Sequence, residues 1–439
     1  MSPSATIRQL LQPHIRACED HINHDLDFRA CSKNESCTFS IVSSDNPSEP
    51  IIINIQQGEA SILTDCPQVP PFGLSARAEH WHAFFAQLPV RPYQSFWGML
   101  RTLGEQEGVS VTGDQEAFGR YARLWRLVLD RMRDAFHGKP VRKRLDGPPD
   151  DEVVEVDAVV GRYVWLSTTA FGKVKLYYET AGNGSQDLLF LHTAGSDSRQ
   201  YHSLMNNPSL QAKCKMYAFD LPAHGKSSLG SQQSIGDYAL TEEAYIEVIA
   251  KLTNHLKLRK TIVCGASMAG HICLALATRA RELDIRGVIP CEACEHLPAT
   301  APIYDLKGAD ASLLDPERVL GMCAPTSPEY FKRQIWWQYS TQGHGIFAGD
   351  LKFYFQGWDG RGRMEGIDTQ FCPVYMLTGE YDYSCTVEAS RATAEKIPGA
   401  GFEVMEGLGH FPLTEDPGKV VPYFMRALEY IWARREELE

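Results

Sequence analysis

The segment Thr261-Ile-Val-Cys-Gly-Ala-Ser-Met-Ala-Gly270 constrains this chain more than any other. A short apolar run reaches Gly265, a serine follows two residues later, and the pattern turns helical through Ile272, Leu274 and Leu276. The spacing predicts a strand that turns sharply into a helix with Ser267 at the apex. A strained apex leaves no room for flanking side chains, so small residues at Gly265, Ala269 and Gly270 are what the turn requires. From there the Ser267 hydroxyl would project beyond the carboxyl end of a sheet, ready to attack a carbonyl. A serine in a glycine-rich turn can also be purely structural. The neighbouring segments decide.

Leu188-Leu-Phe-Leu-His-Thr-Ala-Gly195 reads as a buried strand ending in a histidine and small residues. Met216 to Asp220, followed by Leu-Pro-Ala-His-Gly-Lys-Ser227, reads as a second strand and its turn. Pro373-Val-Tyr-Met-Leu-Thr-Gly-Glu-Tyr-Asp382 is a strand ending in an acid, and Gly407-Leu-Gly-His-Phe-Pro412 carries a histidine in a loop after the strand Phe402 to Met405. Ser267, Asp382 and His410 therefore occur in one of the chain orders known for serine–histidine–acid triads. Each placement alone is more economically a helix cap or a loop. Five together, in order, are not.

On these motifs the chain from about Val174 to the C-terminus resembles the α/β-hydrolase superfamily. The resemblance implies an α/β fold, with a mostly parallel sheet and a helical lid. It implies an oxyanion hole from the amides of Ala194 and Met268, with Ser267 as nucleophile, His410 as base and Asp382 as the acid that orients it. Two departures concern the hole. The first strand ends His-Thr-Ala where the family has His-Gly-x, and Ala269 stands where a glycine is usual. Glu292 and Glu295, after the strand Gly287 to Cys291, are alternative acids, since some members draw the acid from that strand; the Gly-x-x-Asp turn favours Asp382. His192, Asp220 and His224 read as structural members of strand-end turns.

Composition excludes several classes of function. A formal charge of −12 argues against nucleic acid or an anionic membrane as partner. No apolar run approaches the ~20 residues of a membrane span, and residues 1–20 lack the apolar core of a signal peptide. The twelve cysteines are scattered, several within apolar patterns (Cys214, Cys264, Cys273), and Cys291-Glu-Ala-Cys294 has no second pair to complete a metal site. The expectation is a cytoplasmic protein with free thiols, no metal and no cofactor.

At 439 residues two domains are expected. An N-terminal α+β domain over 1–137 would contain a helix from Ile7 to Ile22, a strand at Ile51 to Ile55, a helix from Ser75 to Leu88 capped by Ser75, and an amphipathic helix from Ala117 to Met132. Its element order resembles a sterol-carrier-protein-type domain, which implies a groove for a lipid-like ligand. The reading preferred is a homodimerisation or lid-supporting domain whose interior is filled by Trp81, Phe84, Phe85, Phe96 and Trp97. Residues 138–152, with Pro140, Gly147, Pro148 and Pro149, read as a linker, and the run Arg142-Lys-Arg144 as its solvated face.

The hydrolase domain would occupy 153–439, with a lid inserted at about 293–370. That insertion carries Trp336, Trp337, Tyr339, Tyr354 and Trp358 as candidate pocket walls, and Gly343, Gly345 and Gly349 as candidate hinges. The function expected is a cofactor-independent serine hydrolase cleaving an ester, lactone or similar carbonyl bond of a hydrophobic, aromatic small molecule. A carbon–carbon bond hydrolase acting on a ketone and a non-turnover binding protein are the alternatives.

Overall fold

A computed structural model of the chain describes residues 5–65, 68–149, 156–298 and 311–436. The chain divides into two compact units, residues 1–147 with 301–325, and residues 148–300 with 326–439.

The first unit is built on a sheet of β1 (Ser36–Ser43), β2 (Asn46–Gln56), β3 (Glu59–Leu63), β4 (Phe72–Ala76) and β5 (Ser110–Gly113), in the order β3-β2-β1-β4-β5. Alternating burial along β1 marks a sheet with one face on the core. The helix Ile15–His24 packs against β3, and the helix Ala122–Phe136 packs against that helix. The interior is aromatic. Trp81 stacks on Phe96 at 5.7 Å, Trp97 tilts onto Trp125 at 4.9 Å, and Phe118 stacks on Trp125 at 5.1 Å.

Several local expectations need correction. Ser75 lies inside β4, and the following helix, Ala78–Phe84, starts after Arg77. The β pairing with Val42 and Ser110 claims the Ser75 backbone, so tertiary pairing overrides the capping signal. The helix expected from Ile7 to Ile22 is interrupted by a 3-10 turn at Gln12–His14, where Pro13 has no amide to donate. Arg142 is not solvated: it pairs with Asp25 and Asp27 at 2.7 and 2.8 Å. Residues 139–149 carry neither helix nor strand, while 150–152 of the expected linker lie outside the described residues.

The insertion expected as one lid is divided. Its helix Ala311–Leu320 belongs to the first unit, where Leu314 enters the core and the buried Glu317 carboxylate pairs with the Arg126 guanidinium. A carboxylate without exposed surface needs such a partner, and Arg126 supplies it.

The second unit carries an eight-stranded sheet: β6 (Val160–Thr168), β7 (Gly172–Ala181), β8 (Gln186–Leu191), β9 (Cys214–Phe219), β10 (Thr261–Ala266), β11 (Ile285–Cys291), β12 (Tyr375–Gly379) and β13 (Gly401–Met405). The order is β13-β12-β11-β10-β8-β9-β7-β6, antiparallel at the β6–β7–β9 side and parallel elsewhere. β8 and β10 are buried along nearly their whole length, as strands covered on both faces must be. The parallel strands point the same way, so the loops after β8, β10, β11, β12 and β13 gather at one sheet edge. All the candidate site residues come from them or from the insertion.

Candidate active site

Ser267 follows β10 and precedes the helix Met268–Thr278, with φ 60° and ψ −123°. A non-glycine residue in that region is strained, and the surroundings hold it there: its amide donates to the Cys291 carbonyl at 2.9 Å. A Cβ on Gly270 would run into that same carbonyl, and one on Gly265 into Ala269. This explains the departure at Ala269. Its methyl fits because Gly265 opposite has none.

His410 lies in the loop after β13. Its Nδ1 is 2.8 Å from Asp382 Oδ2 and its Nε2 is 2.9 Å from Ser267 Oγ. With a carboxylate at Nδ1, the proton belongs there, and Nε2 is left to accept from the serine hydroxyl. The other Asp382 oxygen accepts the amides of Ser384 at 2.6 Å and Cys385 at 3.2 Å, which fixes the carboxylate's orientation. Ser267, Asp382 and His410, separated by up to 143 residues, are thus brought into one buried chain of hydrogen bonds.

Ala194 follows β8 through His192 and Thr193, and Met268 opens the helix behind Ser267. The amides beside Ala194 are engaged: Thr193 donates to Gln200 Oε1, Gly195 to Asp350 Oδ2 and Ser196 to the Thr193 carbonyl. The amides of Ala194 and Met268 have no acceptor among the described residues. Buried amides are rarely left without one, and a helix N-terminus favours negative charge. The arrangement can receive an oxyanion.

Of the alternative acids, Glu295 forms an ion pair with Lys396, away from the histidine. Glu292 has no exposed surface, sits at φ 50° and accepts the Gly379 amide at 2.9 Å. Burial and the adjacent Asp382 carboxylate push its carboxyl well above the usual range. Burial alone would raise Asp382 too, but the His410 ring and a hydrogen bond from Glu292 outweigh it and hold Asp382 below its ordinary value. Donor atoms of Glu292, Asp382 and His410 lie within 4.8 Å of one another. Both ring nitrogens of His410 are already committed, so the group is a hydrogen-bonded network in its chemistry, not a ligand set.

The aromatics of the insertion divide by role. Tyr339, on the helix Glu329–Ser340, bonds Thr193 Oγ1 through its hydroxyl at 2.8 Å. Tyr354 and Trp358 each stack on the His271 ring, at 4.8 and 5.6 Å, and the Trp358 indole donates to the Cys294 carbonyl at 2.8 Å. Trp337, half exposed, carries the Arg199 guanidinium over its ring at 4.3 Å. It lines a cleft of about 1000 Å³ with Arg199, His202, Tyr330, Gln338 and Thr414, a cleft that Ser267, Asp382 and His410 do not line. Trp336 is partly buried on the same helix. Of the candidate hinges, Gly349 is packed: a Cβ there would meet the Tyr238 carbonyl.

His192 and His224 carry more than turn structure, and the sequence had no signal for it beyond their positions after β8 and β9. Eleven described cysteines are free thiols. Cys294 Sγ approaches His271 Nε2 at 4.0 Å, two donors where a metal site needs more. Among the described residues no helix is long and apolar enough to cross a membrane.

A family model described as the alpha/beta hydrolase family matches residues 188–422, more than half of the chain, and the chain belongs to that family. The thermophilic esterase of Thermogutta terrifontis superposes with a TM-score of 0.52 at 23% identity, over 62% of this chain and 99% of that one. The enol-lactonase of Burkholderia xenovorans LB400 gives 0.50 at 17% identity, over 62% of this chain and 100% of that one. At these identities the likeness concerns the fold. In sequence, the dihydrolipoyllysine-residue acetyltransferase component of the acetoin cleaving system of Pseudomonas putida is 32% identical over 106 residues, 24% of this chain and 26% of that protein. An uncharacterized hydrolase of Bacillus subtilis is 28% identical over 119 residues, 27% of this chain and 41% of its own. The chain spans less than half the length of these two relatives.

Proposed function

We propose that the chain is a serine hydrolase acting through an acyl-enzyme on an ester or lactone of a hydrophobic, aromatic small molecule. The observation that carries this reading is the His410 ring, held between Asp382 at 2.8 Å and Ser267 at 2.9 Å. A serine hydroxyl is a poor nucleophile at neutral pH unless an imidazole takes its proton. His410 removes that proton as Ser267 Oγ attacks the carbonyl carbon, and Asp382 stabilises the imidazolium. The free amides of Ala194 and Met268 take the developing oxyanion, a contribution of about 3 kcal/mol per donor in studied cases. His410 then protonates the leaving oxygen, and a water activated by the same ring releases the acid. The aromatic insertion supports the substrate class. The first unit, whose aromatic residues fill its own interior, is proposed as a homodimerisation module; the solution mass of the full chain tests this.

The nucleophile is tested with Ser267→Ala. The variant is expected to keep its thermal midpoint while losing turnover of p-nitrophenyl acetate and all covalent labelling by a fluorophosphonate. Labelling that survives moves the nucleophile elsewhere.

A further inference from the structure

We infer that Asp350 and His224 form a buried clasp that positions the oxyanion loop, so that the insertion, and not the core alone, sets the competence of the site. This inference rests on the serine-hydrolase reading above. Asp350 lies on the insertion helix Ile346–Lys352 and has no exposed surface. One of its oxygens, Oδ2, accepts two hydrogen bonds at 2.8 Å, from the Gly195 amide and from His224 Nε2. Gly195 is the residue after Ala194, and its φ of 63° lies in the left-handed region that favours glycine.

The protonation of His224 follows from its partners. Nδ1 faces the Pro222 carbonyl at 3.0 Å and Nε2 faces the Asp350 carboxylate. Neither the carbonyl nor an ionised carboxylate donates, so these contacts favour the ring with both nitrogens protonated. Burial opposes that charge, but the Asp350 carboxylate and its hydrogen bond outweigh it and raise His224 above the ordinary imidazole value. His192, with ring centroids 4.9 Å apart, is the opposite case. Its Nε2 accepts the Leu221 amide at 3.0 Å and its Nδ1 donates to the Thr193 carbonyl at 2.9 Å, which defines one neutral tautomer. Burial first, then the His224 charge, lower it to about 4. A second attachment runs from Tyr339, whose hydroxyl meets Thr193 Oγ1, and the Phe347 ring occupies the space that a side chain at Gly195 would need. The two residues that flank Ala194, Thr193 and Gly195, are therefore held by three insertion side chains, Tyr339, Asp350 and Phe347. A buried carboxylate paired with a buried imidazolium tolerates the loss of neither partner. Withdrawing the insertion would release the loop that presents the amide.

Asp350 is thus a positioning residue: it acts through Gly195 and touches no reacting atom. The test is steady-state hydrolysis of p-nitrophenyl acetate by Asp350→Asn, with phenylboronic acid as a tetrahedral-adduct inhibitor. Losing a whole oxyanion donor costs about 10²–10³ in kcat. A misplaced one is expected to cost about 10-fold or more, with KM within about two-fold and boronate affinity falling in step with kcat. A residue that merely holds the insertion folded would raise KM and lower the thermal midpoint without separating the boronate from the substrate. His224→Gln breaks the clasp from the core side and must give the same split, which covers the case in which Asp350→Asn does not fold. Unchanged kcat in a folded variant, or parallel changes in KM and boronate affinity, overturns the clasp. Turnover that persists in Ser267→Ala overturns the serine-hydrolase reading, and the clasp with it.

Discussion

The carboxyl groups of Asp382 and Glu292 lie side by side without exposed surface, and it is Asp382 that faces the His410 ring. Two carboxylates so close cannot both ionise at low cost. The histidine stabilises the charge on Asp382, while burial and that charge favour the protonated form of Glu292.

Asp382→Asn is therefore expected to lower kcat by about 10⁴, because an amide at this position favours the wrong imidazole tautomer. Glu292→Gln keeps a neutral donor in the same place and is expected to lose less than about ten-fold. Steady-state kinetics on the two variants checks the order; a dead Glu292→Gln with an active Asp382→Asn reverses the assignment.

Glu292 also makes a prediction for stability against pH. Its folded pKa is raised above the value of about 4.3 expected for the unfolded chain. The native state then binds one more proton than the unfolded state between those two values. The stability contribution of Glu292 is complete below the unfolded pKa and falls by about 1.4 kcal/mol per pH unit as pH rises toward the folded value. Glu292→Gln removes that slope. Its thermal midpoint is expected to gain on the parent as pH rises above the unfolded value of about 4.3; a constant difference contradicts the raised carboxyl.

Trp358 separates packing from specificity. Its indole is buried, bonded to the Cys294 carbonyl and stacked on His271. Trp358→Ala is expected to destabilise the protein by about 3–5 kcal/mol through the cavity it leaves. Trp337 is half exposed, and Trp337→Ala is expected to cost no more than about 1 kcal/mol, the worth of an exposed cation–π contact with Arg199. Trp336, partly buried between them in exposure, keeps the expectation of a substrate wall. Trp336→Ala should raise KM for a bulky aromatic ester about ten-fold and leave acetyl ester hydrolysis within a few-fold. Equal losses on both esters would place it in the protein's own core.

Gly270 tests the strained turn. A methyl there meets the Cys291 carbonyl, to which the Ser267 amide is bonded. Gly270→Ala is expected to cost about 1–3 kcal/mol of stability, as overpacking does, and to lower turnover more than binding because the shift falls on Ser267. Circular dichroism melting and a kcat–KM comparison measure the two effects.

The turn at Ser267 was legible in the sequence because its requirements are local. A strand, a sharp turn without flanking side chains and a helix leave a pattern of residue types within ten positions. The positions of Asp382 and His410 were legible for the same reason, each in the loop that follows its own strand. Helix breaks and partners were not. Ser75 carries a capping pattern, yet β4 pairs with β1 and β5 and takes its backbone into the sheet.

What the tertiary structure alone decided concerns residues with no shared periodicity. Glu292 stands beside Asp382 because β11 and β12 are parallel neighbours in the sheet, which sets the ends of the two strands together. Asp350 reaches Gly195 across 155 residues, and Glu317 reaches Arg126 across 191. Such pairs follow from which elements pack. Local sequence determines where a strand ends and which side chain stands there. The fold determines which buried charge finds its partner, because only in the assembled interior does the cost of leaving it unpaired exist.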